Sequence, residues 1–219
     1  MSLRLPASSL ALLCGASGCG KTTLLRCLKR ELLPHGKRQG QVRIGGILQE
    51  KLSPISAAAT VGLVMQQPQE QVVCDTVEQE LCFGLENLGT PPAVLRRRVA
   101  EMAGYFGLCE WLHKEVRTLS GGQLQLLNLA AVMAMQPQLL LLDEPTAQLD
   151  PVAAREFLLA VQRVNVELGT TVLLCEHRLE EALPLADRVL YLRDGALSFC
   201  GDSRGFVDFL ANEEQGRQQ

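Results

Sequence analysis

Leu10-Ala11-Leu12-Leu13-Cys14 runs directly into Gly15-Ala16-Ser17-Gly18-Cys19-Gly20-Lys21-Thr22. The first five residues form a continuous apolar run of strand length. The next eight fit the pattern G-x-x-x-x-G-K-S/T, and a helix follows. Glycines let the backbone wrap closely, so that several N–H groups converge on phosphate oxygens. The helix that follows adds its positive N-terminal end. In such a loop Lys21 reaches the β- and γ-phosphates and the Thr22 hydroxyl ligates Mg²⁺. Gly15, Ala16, Ser17, Gly18, Cys19, Gly20, Lys21, Thr22 and Thr23 are therefore the expected nucleotide-binding set. A loop of this kind says nucleotide and no more, since a kinase or a GTPase would carry it equally well.

Working outward, short apolar strands alternate with amphipathic helices. The helix after the loop is expected from Lys21 to about Leu32, ended by Pro34, His35 and Gly36. Gln41–Ile44 and Ile47–Leu48 flank Gly45-Gly46, a hairpin signal. Val61–Met65, Leu139–Leu142, Thr170–Cys175 and Val189–Leu192 read as further strands. Leu139–Leu142 is apolar at every position, as a strand covered on both faces should be. The stretch Pro151–Leu168 reads as a helix, with Asp150 as N-cap and apolar residues at helical spacing. Leu3-Arg4-Leu5 is expected to be the end of a strand that precedes this core. From about Val77 to Gln136 strand signals are few, and several helices are expected, broken near Pro91-Pro92, Gly107 and Gly121-Gly122. The fold class is therefore α/β, a phosphate-loop NTPase core with a mainly parallel sheet and an inserted α-helical subdomain. One domain is expected over 1–219, with the core in 1–76 and 137–219 and the helical subdomain at about 77–136. The polar tail after Asn212 is expected to fray.

The apolar strand Leu139-Leu140-Leu141-Leu142 ends in Asp143-Glu144. Such a strand delivers Asp143 to the carboxyl edge of the sheet, where phosphate-loop ATPases use it to hold Mg²⁺. Glu144 points elsewhere along the extended chain and is placed to act as a general base toward water.

Leu119-Ser120-Gly121-Gly122-Gln123 adds a second anion-binding feature. Ser120 can cap a helix, and the two glycines leave N–H groups open to an anion. This segment resembles, without substitution, the LSGGQ signature of the ABC ATPases. The resemblance implies an ABC ATPase fold in which two subunits pair head to tail, each signature closing on the nucleotide held by the other's phosphate loop. Ser120 and Gly122 would then act in trans. Further family elements follow in order. Val64-Met65-Gln66-Gln67-Pro68 resembles the Q-loop, which implies Gln66 near Mg²⁺ and the attacking water. Pro145-Thr146-Ala147-Gln148-Leu149-Asp150 resembles the D-loop, which implies Asp150 at the dimer interface. Cys175-Glu176-His177-Arg178 resembles the switch-histidine segment, which implies that His177 contacts the γ-phosphate and orients Glu144. The implied catalytic residues are Glu144, His177 and Gln66, and the implied metal site is Thr22, Gln66 and Asp143, with ATP and Mg²⁺ bound.

The stretch Gln66–Leu88 and the segments Glu176–Glu181 and Pro184–Val189 are similar to the energy-coupling factor ATPases, relatives of cobalt and nickel uptake ATPases that drive vitamin import. That similarity implies an integral membrane transport subunit docked at the Q-loop and the groove of the helical subdomain, and a peripheral place on the cytoplasmic face of the cell membrane. Two departures stand out. Leu126 occupies a position where the family usually has a basic residue. The family also stacks adenine on an aromatic residue upstream of the phosphate loop, but only about fourteen residues precede Gly15 and none is aromatic. Such stacking is worth ~1–3 kcal/mol per base by analogy with other aromatic platforms, so weakened ATP affinity is expected. A non-transport ABC protein of DNA repair or translation, and a catalytically weak member of an asymmetric dimer, remain as alternative readings.

Composition narrows the partners. The net charge is −3, and the Arg96-Arg97-Arg98 triplet is the one dense basic run, read as a solvated helix face beside Glu101. Nucleic acid is therefore not an expected partner. No apolar run approaches the ~20 residues that span a bilayer, so a soluble chain is expected. The eight cysteines have no C-x-x-C spacing and read as reduced thiols of a cytosolic protein.

Overall fold

The structure, a computed structural model, describes residues 2–37 and 39–216. In chain order the elements are β1 (Leu10–Cys14), α1 (Lys21–Leu28), β2 (Arg43–Ile44), β3 (Ile47–Leu48), α2 (Pro54–Thr60), β4 (Val61–Val64), α3 (Pro68–Gln71), α4 (Val77–Asn87), α5 (Pro92–Tyr105), α6 (Gly121–Ala134), β5 (Leu139–Asp143), α7 (Pro151–Leu168), β6 (Thr171–Cys175), α8 (Leu179–Ala182), β7 (Arg188–Arg193), β8 (Ala196–Gly201) and α9 (Ser203–Gly216). Six strands form one sheet in the order β4-β5-β6-β1-β7-β8. The first five run parallel, and β8 returns antiparallel on β7. β2 and β3 form a separate small hairpin.

The continuous apolar strands are explained by burial on both faces. Leu10 and Leu12 of β1, Leu140 and Leu142 of β5, and Val172 and Leu174 of β6 join a core with α4–α7. Their neighbours Ala11, Leu13, Leu139, Leu141 and Leu173 face the other way, against Leu25 of α1 and Leu190 and Leu192 of β7. Each fully buried leucine contributes about 1.5–3 kcal/mol. α6 is buried nearly all round and is apolar on nearly every side, as expected of a helix with no solvent face. It packs on α4, α5, α7 and β4. Among the described residues no helix is long and apolar enough to cross a membrane.

α7 spans the expected residues. Asp150 Oδ1 accepts from Val152 N (2.9 Å) and Ala153 N (3.0 Å), Pro151 stands in the first turn, and Gly169 ends the helix at φ 67°. Elsewhere boundaries shift. α1 stops at Leu28, because Lys29 turns extended and sends its ammonium to the Val61 carbonyl (2.7 Å), with a 3₁₀ turn over Arg30–Leu32 behind it. β4 stops at Val64 because the Gln71 side chain supplies the next pairing, accepting from Met65 N and donating to Leu63 O, both at 2.9 Å. Gln41, Val42 and Thr170 lie just outside the strands expected to contain them. Leu3–Leu5 form no strand; Leu3 and Leu5 pack as partly buried side chains beneath the sheet.

The chain end also differs from expectation. β8 and α9 carry no strong sequence signal, yet α9 continues to Gly216, past the point where fraying was expected. It docks through Phe206, fully buried, which meets Tyr191 (ring centroids 5.8 Å apart) and Phe199 (5.5 Å).

Candidate functional site

The carboxyl ends of the parallel strands bring the sequence-predicted residues to one edge, where α/β sheets place ligands. β1 ends at Cys14 and β6 at Cys175, in register Leu13↔Cys175, while β5 pairs Asp143↔Cys175. β6 therefore lies between the strand that feeds the phosphate loop and the strand that carries Asp143. The gap is bridged from α1, where the Thr22 hydroxyl donates to Asp143 Oδ1 at 3.2 Å.

The loop itself is wound through left-handed backbone at Gly15, Gly18 and Gly20. Gly15 has a second constraint: a Cβ there would stand 2.2 Å from the Leu192 carbonyl oxygen. No side chain fits at the point where the loop crosses β7. The Lys21 ammonium is 5% exposed as a residue and donates to the carbonyls of Gly15 (3.0 Å) and Ala16 (3.2 Å). It also stands 3.8 Å from Glu144 Oε1.

Glu144 does not continue the strand as expected. Its φ is +48°, and its N–H donates to the Cys175 carbonyl at 3.0 Å. A non-glycine residue held left-handed is strained, a state concentrated at functional sites. The turn swings the carboxylate back toward the phosphate loop, so that Oε1 lies between the Lys21 ammonium and His177 Nε2, the latter at 2.8 Å. Burial pushes the Asp143 carboxyl above the usual carboxylate range. The Thr22 hydroxyl opposes that rise, the Glu144 charge adds to it, and Arg26 and Lys21 oppose it.

Four expected residues stand apart. Gln66 is exposed beyond the end of β4, and no hydrogen bond joins its side chain to Thr22, Asp143 or Glu144 among the described residues. Ser120 caps α6: its hydroxyl accepts from Gln123 N (3.3 Å) while Gln123 Oε1 accepts from Ser120 N (2.9 Å). Ser120 and Gly121 are exposed, and Gly122 is half-buried. Asp150 spends its carboxylate on the cap of α7. All eight cysteines are free, and burial raises the Cys14 thiol to about 12 and pushes Cys175 up as well. Neither is a nucleophile.

Residues 1–147 match the ABC transporter family. The chain belongs to that family. Among curated relatives, a putative ABC transporter ATP-binding protein of Bacillus thuringiensis subsp. konkukian is 50% identical over 99% of this chain and 39% of its own length. The energy-coupling factor transporter ATP-binding protein EcfA1 of Symbiobacterium thermophilum is 42% identical over 87% of this chain and 65% of its own. This chain thus spans little more than a third of the first of these relatives. Among solved structures, cbiO1 from Clostridium perfringens, part of the ABC transporter complex cbiONQ, superposes with a TM-score of 0.85 at 24% identity over 100% of this chain and 85% of its own, and supports the fold. A dimeric ATP-binding cassette in a post-hydrolysis state with ADP and phosphate superposes with a TM-score of 0.76 at 25% identity, over 93% of this chain and 89% of its own.

In this ABC chain the site rests on polar side chains that sequence reasoning missed. Gln125 is fully buried and donates from Nε2 to Met65 O (3.0 Å) and Pro145 O (2.8 Å). Asn128, one turn on and 1% exposed, donates to Pro68 O at 3.0 Å. Together they tie the segment around Gln66 to the helix that Ser120 caps. A signal was present, because two amides three residues apart inside an otherwise apolar buried helix must find partners. Glu176 is 2% exposed and holds Thr146 on one oxygen and His177 N (2.8 Å) on the other. It lies in the segment that resembles the switch-histidine motif, but nothing in the residue order marks its burial.

Proposed function

We propose that this chain hydrolyses ATP as one half of a two-subunit nucleotide sandwich and powers solute import through a membrane subunit, in a transporter of energy-coupling factor type. The observation that carries the hydrolytic reading is the Glu144 carboxylate held 3.8 Å from the Lys21 ammonium and 2.8 Å from His177 Nε2, beside the Thr22–Asp143 pair. The N–H groups from Gly15 to Thr23 bind the phosphates. Lys21 exchanges the carbonyls of Gly15 and Ala16 for phosphate oxygens. Glu144 takes the proton of the attacking water, with His177 fixing its carboxylate. Gln66, exposed beyond the end of β4, turns toward Mg²⁺ and the attacking water when nucleotide is bound. Ser120 and Gly122 bind the nucleotide held by the partner, and Asp150 lies along that interface. A hydroxyl and a carboxylate 3.2 Å apart suit Mg²⁺, which prefers hard oxygen donors and shares its shell with substrate phosphates. Thr22 and Asp143 would hold that ion, and it would supply neutralisation of charge on the β- and γ-phosphates.

The energy-coupling factor type is supported by the likeness to EcfA1. The region 77–136 serves as the helical subdomain within one ABC domain. A groove lined by Val73, Asp75, Glu78, Cys82 and Glu86 runs along α4. Val73 in its lining and Phe83 on α4 are exposed, at 61% and 41%. Apolar side chains among three carboxylates suit a partner segment that is apolar and basic, and we place the membrane subunit there, on the cytoplasmic face.

Phosphate release tests the reading. ATP turnover is expected to need Mg²⁺ and to fall by about 10²–10³-fold in Lys21→Ala, the scale of losing one preorganised charged donor. Absence of ATP binding at millimolar concentration would overturn the hydrolytic assignment.

A further inference from the structure

The loop Pro145–Asp150 is held from three sides. At its start Pro145 O accepts from the buried Gln125 amide at 2.8 Å. Next, Thr146 donates both its backbone N–H (3.2 Å) and its hydroxyl to Glu176 Oε1. At its end Leu149 O accepts from the Arg178 guanidinium at 2.8 Å. Glu176 and Arg178 are the two neighbours of His177, and Glu176 Oε2 also accepts from His177 N at 2.8 Å. The histidine that touches Glu144 therefore sits in a short segment pinned to this loop on both sides.

The loop is pinned in turn to the start of α6. A Cβ on Gly122 would stand 2.9 Å from Ala153 Cβ, so the backbones of α6 and the first turn of α7 pass in direct contact. That turn is capped by Asp150, the residue after Leu149. A continuous line of contacts thus runs from Gly122 through Ala153, Asp150 and Leu149 to Arg178 and Glu176, and from there to His177 and Glu144.

We propose that Glu176 and Arg178 are positioning residues, which fasten the Thr146–Leu149 loop to both sides of His177 so that the place of that loop sets the contact between His177 and Glu144. A displacement of α6 or of Asp150 by a second subunit is then carried to the general base. The chemistry of the two residues fits this role. Glu176 is 2% exposed and its two oxygens hold three donors from the two segments. Replacement by glutamine turns one of those oxygens into a donor facing another donor. Arg178 keeps part of its side chain at the surface, 31% exposed, so its removal leaves no large buried void.

This inference rests on the proposed ATP hydrolysis, and its test keeps the two separable. The chain has three histidines, His35, His113 and His177, so the imidazole resonances are few enough to assign with His177→Gln. Arg178→Ala is expected to move the His177 ring resonances and leave those of His35 and His113 in place, with Arg178→Lys restoring most of the shift, because an ammonium can also donate to Leu149 O. In kinetics Arg178→Ala and Glu176→Gln are expected to lower kcat by roughly 3- to 30-fold, the usual size of an effect carried through a contact network, with KM for ATP held within about twofold of its starting value. Should Glu176→Gln fail to fold, Arg178→Ala alone decides. Wild-type protein without turnover would sink the proposed function, and the ring spectra would still judge the positioning. Unmoved His177 resonances in folded Arg178→Ala, or kcat equal to wild type in that variant, would overturn the inference.

Discussion

Glu144→Gln is expected to lower the turnover number by about 10²–10⁴-fold, the contribution of a positioned general base, and to leave ATP binding intact. The substitution is nearly isosteric. The amide oxygen can still accept a hydrogen bond from His177, and the backbone bond from residue 144 to Cys175 O is untouched. What disappears is the basic oxygen proposed to take the proton from water. The ion pair between Lys21 and Glu144 also disappears, at 3.8 Å in the native chain. Lys21 then loses one competitor for its charge, so affinity for the phosphates holds or rises. Steady-state phosphate release together with equilibrium binding of a fluorescent ATP analogue separates the two effects. Unchanged turnover in Glu144→Gln would remove this residue from the role of base.

Asp143→Asn is expected to act in opposite directions on activity and stability. Activity is expected to fall by about 10³-fold, because a proposed ligand of the ion that would neutralise the phosphates is lost, an effect worth several kcal/mol. Stability rises. Burial lifts the Asp143 carboxyl above its usual range, ahead of the opposing Thr22 hydrogen bond. A carboxyl whose pKa is raised by folding stabilises the native state fully below its unfolded pKa of about 3.9, and that contribution is lost as pH rises through the elevated value. At neutral pH the native chain therefore holds an uncomfortable charge that asparagine removes while still accepting from Thr22. The nucleotide-free Tm of Asp143→Asn should exceed that of the wild type at about pH 7, and the gap should close as the pH approaches 4. A lower Tm for the variant at neutral pH would show that the carboxylate is structurally favourable there. A site that trades stability for charge follows a common pattern in functional sites.

Much of the fold was legible because its strands are buried on both faces. Runs such as Leu139–Leu142 and Leu10–Cys14 leave no solvent side, and their apolar continuity marks them as central parallel strands. The phosphate loop and Asp143-Glu144 were legible because phosphate chemistry fixes residue types at fixed spacings. The misplaced ends have local causes. Lys29 and Gln71 divert the backbone with side-chain hydrogen bonds to distant carbonyls, and no window of hydrophobicity registers such bonds. β8 is an edge strand with no fully buried residue, and α9 is placed by an aromatic cluster that exists only once β7 and β8 have met. The turn at Glu144 was misread as extended because nothing in the residue itself favours left-handed backbone; the neighbouring strand imposes it through Cys175 O. The supports behind the site, Gln125, Asn128, Glu176 and Arg178, were hidden for a related reason. Each is a polar residue whose partners lie on other elements 20 to 60 positions away in the chain.

Ser120 and Gly122 stand at an exposed helix start, bonded to nothing in their own phosphate loop among the described residues, and the proposed sandwich is what gives them a nucleotide to bind. Sedimentation velocity of Glu144→Gln, with and without ATP and Mg²⁺, tests this most directly. The prediction is a monomer without nucleotide and a dimer with it, because ATP that is bound but not hydrolysed holds the two halves closed. A particle that stays monomeric at saturating ATP, while the wild type hydrolyses ATP at a specific rate independent of protein concentration, would contradict the two-subunit site.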